Sequence, residues 1–180
     1  MPQLAVDGAE LTYDDEGPRD AGTAPLVFLH GWTADRHRWD HQMAHFAPHR
    51  RVIRLDLRGH GESSGTGART IEDLARDVTA LLDHLGVGRF VPVGHSMGGM
   101  TAQTLALAHP GRAGEIRVPT LMVHGYHDIQ LPVRQMLRLA KDYEDAEIRV
   151  LDAGHELPVE KPAELTAVLD RFLDRPPARA

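Results

Sequence analysis

The pentapeptide Gly94-His95-Ser96-Met97-Gly98 holds the residues a hydroxyl nucleophile needs. The apolar run Phe90-Val-Pro-Val93 leads into it, and the small-residue stretch Gly99-Met-Thr-Ala-Gln103 leads out. A strand, then G-x-S-x-G, then a helix describes a sharp turn that pushes a serine hydroxyl clear of a sheet. Glycines at 94 and 98 leave room for a bend that β-carbons would obstruct. Ser96 is therefore the candidate nucleophile; the blander reading is an ordinary glycine-rich turn. A serine hydroxyl is a weak nucleophile near neutral pH, so it needs a base to take its proton and an acid to hold that base in the right tautomer. His155, in Ala153-Gly-His-Glu156, and Asp128, in Gly125-Tyr-His-Asp128, each follow an apolar run and meet those needs. With 12 histidines in the chain, identity alone says little, and the position after a strand is what singles out His155. Two rival readings stay open: Asp128 as a turn or helix-capping aspartate, and His155 as a loop-capping side chain. Attack on a carbonyl also puts negative charge on its oxygen, which backbone N–H groups can stabilise. Met97, next to the nucleophile, and Trp32, just beyond His30-Gly31, are the candidate donors of such an oxyanion hole. The Trp32 indole suits a core or a pocket wall equally, because the catalytic part is its backbone.

These groups need elements to carry them. Leu4–Val6 and Leu11–Tyr13 flank Asp7-Gly8 and predict a hairpin, followed by a loop over Gly17–Pro25. Apolar runs at 26–29, 52–55, 90–93, 120–124 and 147–151 read as buried strands. Helices are predicted over 36–47, from a Thr70/Asp73 capping box to Gly86, and over 97–108, 132–142 and 162–174. Pro110-Gly111 is expected to end the third of these, and Leu74, Val78, Leu81, Leu165, Leu169 and Phe172 to face the core. Strands alternating with helices predict an α/β fold, a mainly parallel twisted sheet with helices on both faces. Reactive groups then gather at the carboxyl ends of the strands, where all the candidates fall. The 180 residues, 42% hydrophobic, suit one domain over 1–174 with a frayed tail over 175–180. A net charge of −6 without a basic block argues against nucleic acid as a partner. No run approaches the roughly eighteen apolar residues of a spanning helix, so no membrane partner is expected. Residues 1–10 show neither a basic nor an apolar leader segment, so a cytoplasmic address is expected. With no cysteine there is no thiolate nucleophile or disulfide framework. His37, His41 and His45 follow i, i+4 steps that could face a metal, but no carboxylate completes such a site, so neither metal nor cofactor is expected.

At this point the chain resembles an α/β-hydrolase of the serine esterase and lipase-like branch. The matching pieces are Phe28-Leu-His-Gly-Trp32, Arg54-Leu-Asp-Leu-Arg-Gly-His-Gly61, Gly94-His-Ser-Met-Gly-Gly99, Pro119-Thr-Leu-Met-Val-His-Gly125 with Asp128, and Ala153-Gly-His-Glu-Leu-Pro158 with Glu160-Lys-Pro162. The order Ser, Asp, His is the one that accompanies this kind of turn. The resemblance implies a triad of Ser96, Asp128 and His155, with the oxyanion hole at the backbones of Trp32 and Met97. Serine at the turn argues against the haloalkane dehalogenases of the same fold. Asp56, Arg58, His60 and Gly61 match a loop that is structural in the family.

The departure from the family matters as much. Only residues 110–118 separate the helix after Ser96 from the strand before Asp128, where this branch places another strand and often a helical cap. The chain therefore resembles a minimal, capless core. Loss of a cap leaves the serine open to solvent and exposes apolar surface, so a homodimer is a further expectation. Three readings follow: a hydrolase of small or short-chain carboxylic esters, perhydrolysis or carbon–carbon cleavage on the same triad, and an inactive scaffold or binding domain.

Overall fold

Gly8 takes a φ of +72° in the turn that joins β1 (Gln3–Val6) to β2 (Ala9–Glu16), and the two strands pair antiparallel as the sequence predicts. They open a computed structural model that describes residues 1–66, 70–109, 119–143 and 145–175. The chain divides into two compact units, Met1–Gly114 and Glu115–Ala180.

In the first unit, β3 (Leu26–Leu29) and β4 (Val52–Leu55) are buried along their whole length, which is why β3 reads as an unbroken apolar run and β4 as one interrupted only by Arg54. β5 is Val91–Gly94, and the strand order is β1-β2-β4-β3-β5. β3 runs parallel to both β4 and β5, while β2 lies antiparallel to β4, so the sheet is mixed, parallel over β4-β3-β5 and antiparallel over β1-β2-β4. Arg54, the one charged residue in β4, is accommodated because its guanidinium donates to Asp14 at 2.7 Å and to Asp40. The helix expected over 36–47 is a 3-10 turn at Arg36–Trp39 followed by α1 (Asp40–Phe46). Its tight first turn is held by Asp35, which caps the His37 N–H, and by the buried Asp56 carboxylate, which accepts the Arg36 N–H and guanidinium. α2 (Ile71–His84) starts with both halves of the Thr70/Asp73 capping box formed, and it buries Leu74, Val78, Leu81 and Leu82. α3 is Met97–Ala108.

In the second unit, β6 (Thr120–Gly125) and β7 (Ala146–Leu151) pair in parallel over their full length. α4 (Val133–Leu139) tightens into a 3-10 turn at Ala140–Asp142. α6 (Pro162–Leu173) takes Pro162 in its first turn, where the missing N–H costs nothing, and buries Leu165, Val168 and Leu169. Phe172, expected in the core, is only partly buried, with the Arg175 guanidinium 5.5 Å from its ring centre. A one-turn helix that the sequence reading did not foresee, α5 (Leu157–Glu160), precedes α6. The expected Pro110-Gly111 stop, the shortened 110–118 connection and all but the first residue of the 175–180 tail lie outside the described residues. Among the described residues, no helix is long and apolar enough to cross a membrane.

Candidate active site

Ser96 sits at φ +51°, ψ −116° between β5 and α3, in a region of backbone space that residues with a β-carbon rarely occupy. Such strain persists only where the surroundings enforce it. Here the enforcement is close packing of backbone on backbone. A β-carbon on Gly94 would lie 2.1 Å from the Gly98 carbonyl oxygen, and one on Gly98 would lie 2.2 Å from that of Leu29 and 2.6 Å from that of His30. The first turn of α3 is thereby seated on the ends of β3 and β5. The His95 N–H donates to the Leu29 carbonyl at 3.0 Å, and the Gly99 and Met100 N–H groups close onto the Ser96 carbonyl. Met97 opens α3, where the first N–H groups have no partner within the helix and the helix dipole favours negative charge.

The loop after β3 comes against the same turn. A β-carbon on Gly31 would lie 2.9 Å from His95 Nδ1 and 3.3 Å from Ser96 Cβ. His30, fully buried, binds the Gly31 carbonyl through Nδ1 at 2.8 Å and accepts the Leu57 N–H at Nε2 at 2.9 Å. A carbonyl only accepts, so the proton sits on Nδ1 and the ring is neutral. Burial pushes its pKa below the ordinary imidazole value. Asp56 organises the next loop: it accepts the Arg36 N–H, the Arg36 guanidinium and the Glu62 N–H, and Gly61 at φ +53° passes so close that a β-carbon would meet its carboxylate. Arg58 makes a bidentate pair with Asp77 at 2.6 and 2.7 Å. These contacts agree with a structural reading of Asp56, Arg58 and Gly61.

Ser96 and Met97 open onto a cavity of about 560 Å³ whose other walls include Trp32, His60, Ile71, Leu74 and Met100. Ser96 is exposed, and Trp32, 68% exposed, stands edge to face against His60 with ring centres 5.5 Å apart. The structure thus brings Trp32, Ser96 and Met97 to one cavity. His60, Ile71, Leu74 and Met100 as cavity walls were missed by the sequence reading. Ile71 and Leu74 carried only a core signal, whereas Met100 lies one helical turn beyond Met97 and could have been inferred.

In the second unit, Asp128 follows β6 and His155 follows β7, and His155 Nδ1 lies 2.8 Å from Asp128 Oδ2. Asp128 Oδ1 also accepts the Gln130 and Leu131 N–H groups, both at 2.9 Å, so one carboxylate caps its own turn and contacts His155 at the same time. Burial pushes the Asp128 carboxyl upward, but the Leu131 amide, His155 and the Gln130 amide outweigh it and hold the group below the usual carboxylate range. A carboxylate only accepts, so His155 Nδ1 carries a proton towards Asp128, which leaves Nε2 as the ring nitrogen able to act as a base. Gly125 lets the β7 loop approach: a β-carbon there would lie 2.0 Å from the Gly154 carbonyl oxygen. Of the histidines at 37, 41 and 45, His37 binds Asp40 at 3.2 Å and His45 packs edge-on against Phe46.

An alpha/beta hydrolase fold profile matches residues 24–114, the stretch from β3 to just beyond α3. A non-heme chloroperoxidase from Streptomyces lividans is 42% identical over 125 residues, covering 65% of this chain and 44% of that protein. A bifunctional esterase/perhydrolase from Acinetobacter calcoaceticus is 43% identical over 96 residues, 52% of this chain and 34% of that one. The chain spans less than half the length of the curated relatives it matches first. Among solved structures, Est816, described as an N-acyl homoserine lactone degrading enzyme, superimposes with a TM-score of 0.87 at 26% identity over 95% of this chain and 100% of that one. By the profile match and these likenesses, the chain belongs to the alpha/beta hydrolase fold family.

Proposed function

We propose that this protein is a serine hydrolase that cleaves small or short-chain carboxylic esters through an acyl-enzyme. The observation that carries the reading is Ser96 at φ +51° between β5 and α3, a strained geometry with no structural need for a serine and a clear use for an exposed hydroxyl. Ser96 Oγ attacks the ester carbonyl carbon while His155 Nε2 takes the hydroxyl proton. Asp128 holds the Nδ1–H and stabilises the imidazolium that forms. The oxyanion is met by the N–H groups of Met97 and Trp32, each such donor being worth roughly 3–4 kcal/mol. His155 then returns the proton to the departing alkoxide, and water attacks the acyl-enzyme by the same route. Support for the base and acid comes from the 2.8 Å contact between His155 and Asp128. This reading takes residues 1–174 as one functional domain and needs no metal or cofactor. Its partner is a small-molecule ester, and the apolar side chains around the cavity suit an uncharged acyl group.

A second reading, perhydrolysis, is favoured by the names of two relatives, a chloroperoxidase and an esterase/perhydrolase. In it, hydrogen peroxide replaces water in attack on the acyl-enzyme and releases a peracid. The deciding experiment is intact-mass measurement after fluorophosphonate treatment of the parent chain and Ser96→Ala, followed by ester turnover with and without peroxide. A single adduct that requires Ser96, with turnover abolished in Ser96→Ala, is expected. Peracid release would select the second reading. No adduct on well-folded protein would overturn both and leave the inactive scaffold.

A further inference from the structure

We infer that Glu160 is a positioning residue for His155, an assignment that rests on His155 being the general base proposed above. One carboxylate holds the backbone on both sides of the histidine: Oε2 accepts the Gly154 N–H at 2.7 Å and Oε1 accepts the Glu156 N–H at 3.0 Å. From the side of β6, the His127 N–H donates to the Ala153 carbonyl at 2.8 Å, and Gly125 packs against the Gly154 carbonyl. The loop that bears the imidazole is therefore clasped between the end of β6 and the Glu160 side chain. A rotation of the 154–156 backbone would move Nδ1 away from Asp128 and re-aim Nε2 at the same time.

The blander role for Glu160 is capping of the one-turn helix α5. That role accounts for its bond to the Glu156 N–H, at the residue that precedes the helix. It does not account for the bond to Gly154, two residues further out and beyond any helical N–H. A carboxylate suits the task because it has an acceptor oxygen for each amide. Glutamine, of the same size, has one oxygen and would set an NH₂ group against the other N–H.

The test uses the full chain and the variants Glu160→Gln and Glu160→Asp. The expected result for Glu160→Gln is a fall in kcat of about 10- to 100-fold at unchanged KM, as for a catalytic group displaced by about 1 Å. Alongside it, the His155 Nδ1–H proton resonance, assigned by its absence in His155→Gln, should broaden or move upfield. Glu160→Asp, which keeps the charge but shortens the reach, should fall between the two. An unchanged resonance and unchanged kcat together with a lower melting temperature would overturn the assignment and leave Glu160 a helix cap. If the parent chain turns over no ester, the hydrolase reading fails by itself, and the resonance alone decides whether Glu160 holds the imidazole.

Discussion

Asp128→Asn separates the two tasks of this carboxylate. Oδ1 accepts the Gln130 and Leu131 amides and Oδ2 faces His155 Nδ1. Asparagine keeps one oxygen, which the two amides retain, and puts an NH₂ where Oδ2 stood. Two donors cannot face each other, so His155 must offer its Nδ1 lone pair and carry its proton on Nε2, the nitrogen that the proposed mechanism needs bare. The expected loss in kcat/KM is about 10⁴-fold, the scale of a wrong tautomer in a triad. At about 1.36 kcal/mol per tenfold, that is roughly 5.5 kcal/mol of transition-state stabilisation. The stability loss should be smaller, about 2–4 kcal/mol, for one charge-assisted bond removed and two weakened. pH supplies a second signature. The Asp128 pKa is depressed in the folded state, so its contribution is present above the unfolded value of about 3.9 and lost as pH falls through the lower folded value. In that acid window, the parent should lose more stability than the asparagine variant. The assays are kcat/KM on p-nitrophenyl acetate and urea midpoints at neutral pH and at about pH 3. Activity within tenfold of the parent would refute Asp128 as the orienting acid, and equal acid sensitivity would refute the linkage.

The sequence was most legible where one physical demand dictated one residue type. Gly94 and Gly98 could be read as glycines that a bend requires, and the structure gives the reason as backbone contacts of 2.1 and 2.2 Å to any added β-carbon. The Thr70/Asp73 box and the buried runs of β3 and β4 were legible for the same reason, since capping and two-sided burial each leave a local mark. Legibility failed where a residue serves two ends or where the signal is not local. Leu74 is core by its spacing and also a cavity wall, and periodicity cannot distinguish the two. Phe172 has the spacing of a core residue but lies in the last turn of α6 and is only partly buried, which periodicity does not reveal. Glu160 sits in a family-like stretch of sequence, but its two amide partners could not be read from a four-residue helix that was itself unforeseen. His60 was matched to a structural loop, and only the fold brings its ring against Trp32 at the cavity.

Two further outcomes follow from the first unit. His30 is neutral and buried with both ring nitrogens engaged, and its pKa lies below the ordinary 6.5. Its contribution to stability is therefore present above 6.5 and lost as pH falls through the lower folded value. Urea midpoints of His30→Gln should fall less steeply than the parent's over that range, and parallel profiles would refute the assignment. Gly98 and Gly99 are adjacent in α3 but should respond oppositely to alanine. At Gly98 the new β-carbon would stand 2.2 Å from the Leu29 carbonyl oxygen and 2.6 Å from that of His30, and because both are backbone atoms a shift of the backbone is the only relief. At Gly99 its nearest neighbour, the Gly94 carbonyl oxygen, is 3.4 Å away, an ordinary contact. Gly98→Ala should therefore cost about 1–3 kcal/mol by overpacking and about 100-fold in kcat by displacing the Ser96 turn. Gly99→Ala should be neutral or gain up to about 1 kcal/mol from helix propensity. Equal effects of the two substitutions on melting temperature and turnover would show that the Ser96 turn is not set by the close approach of α3 to the ends of the strands.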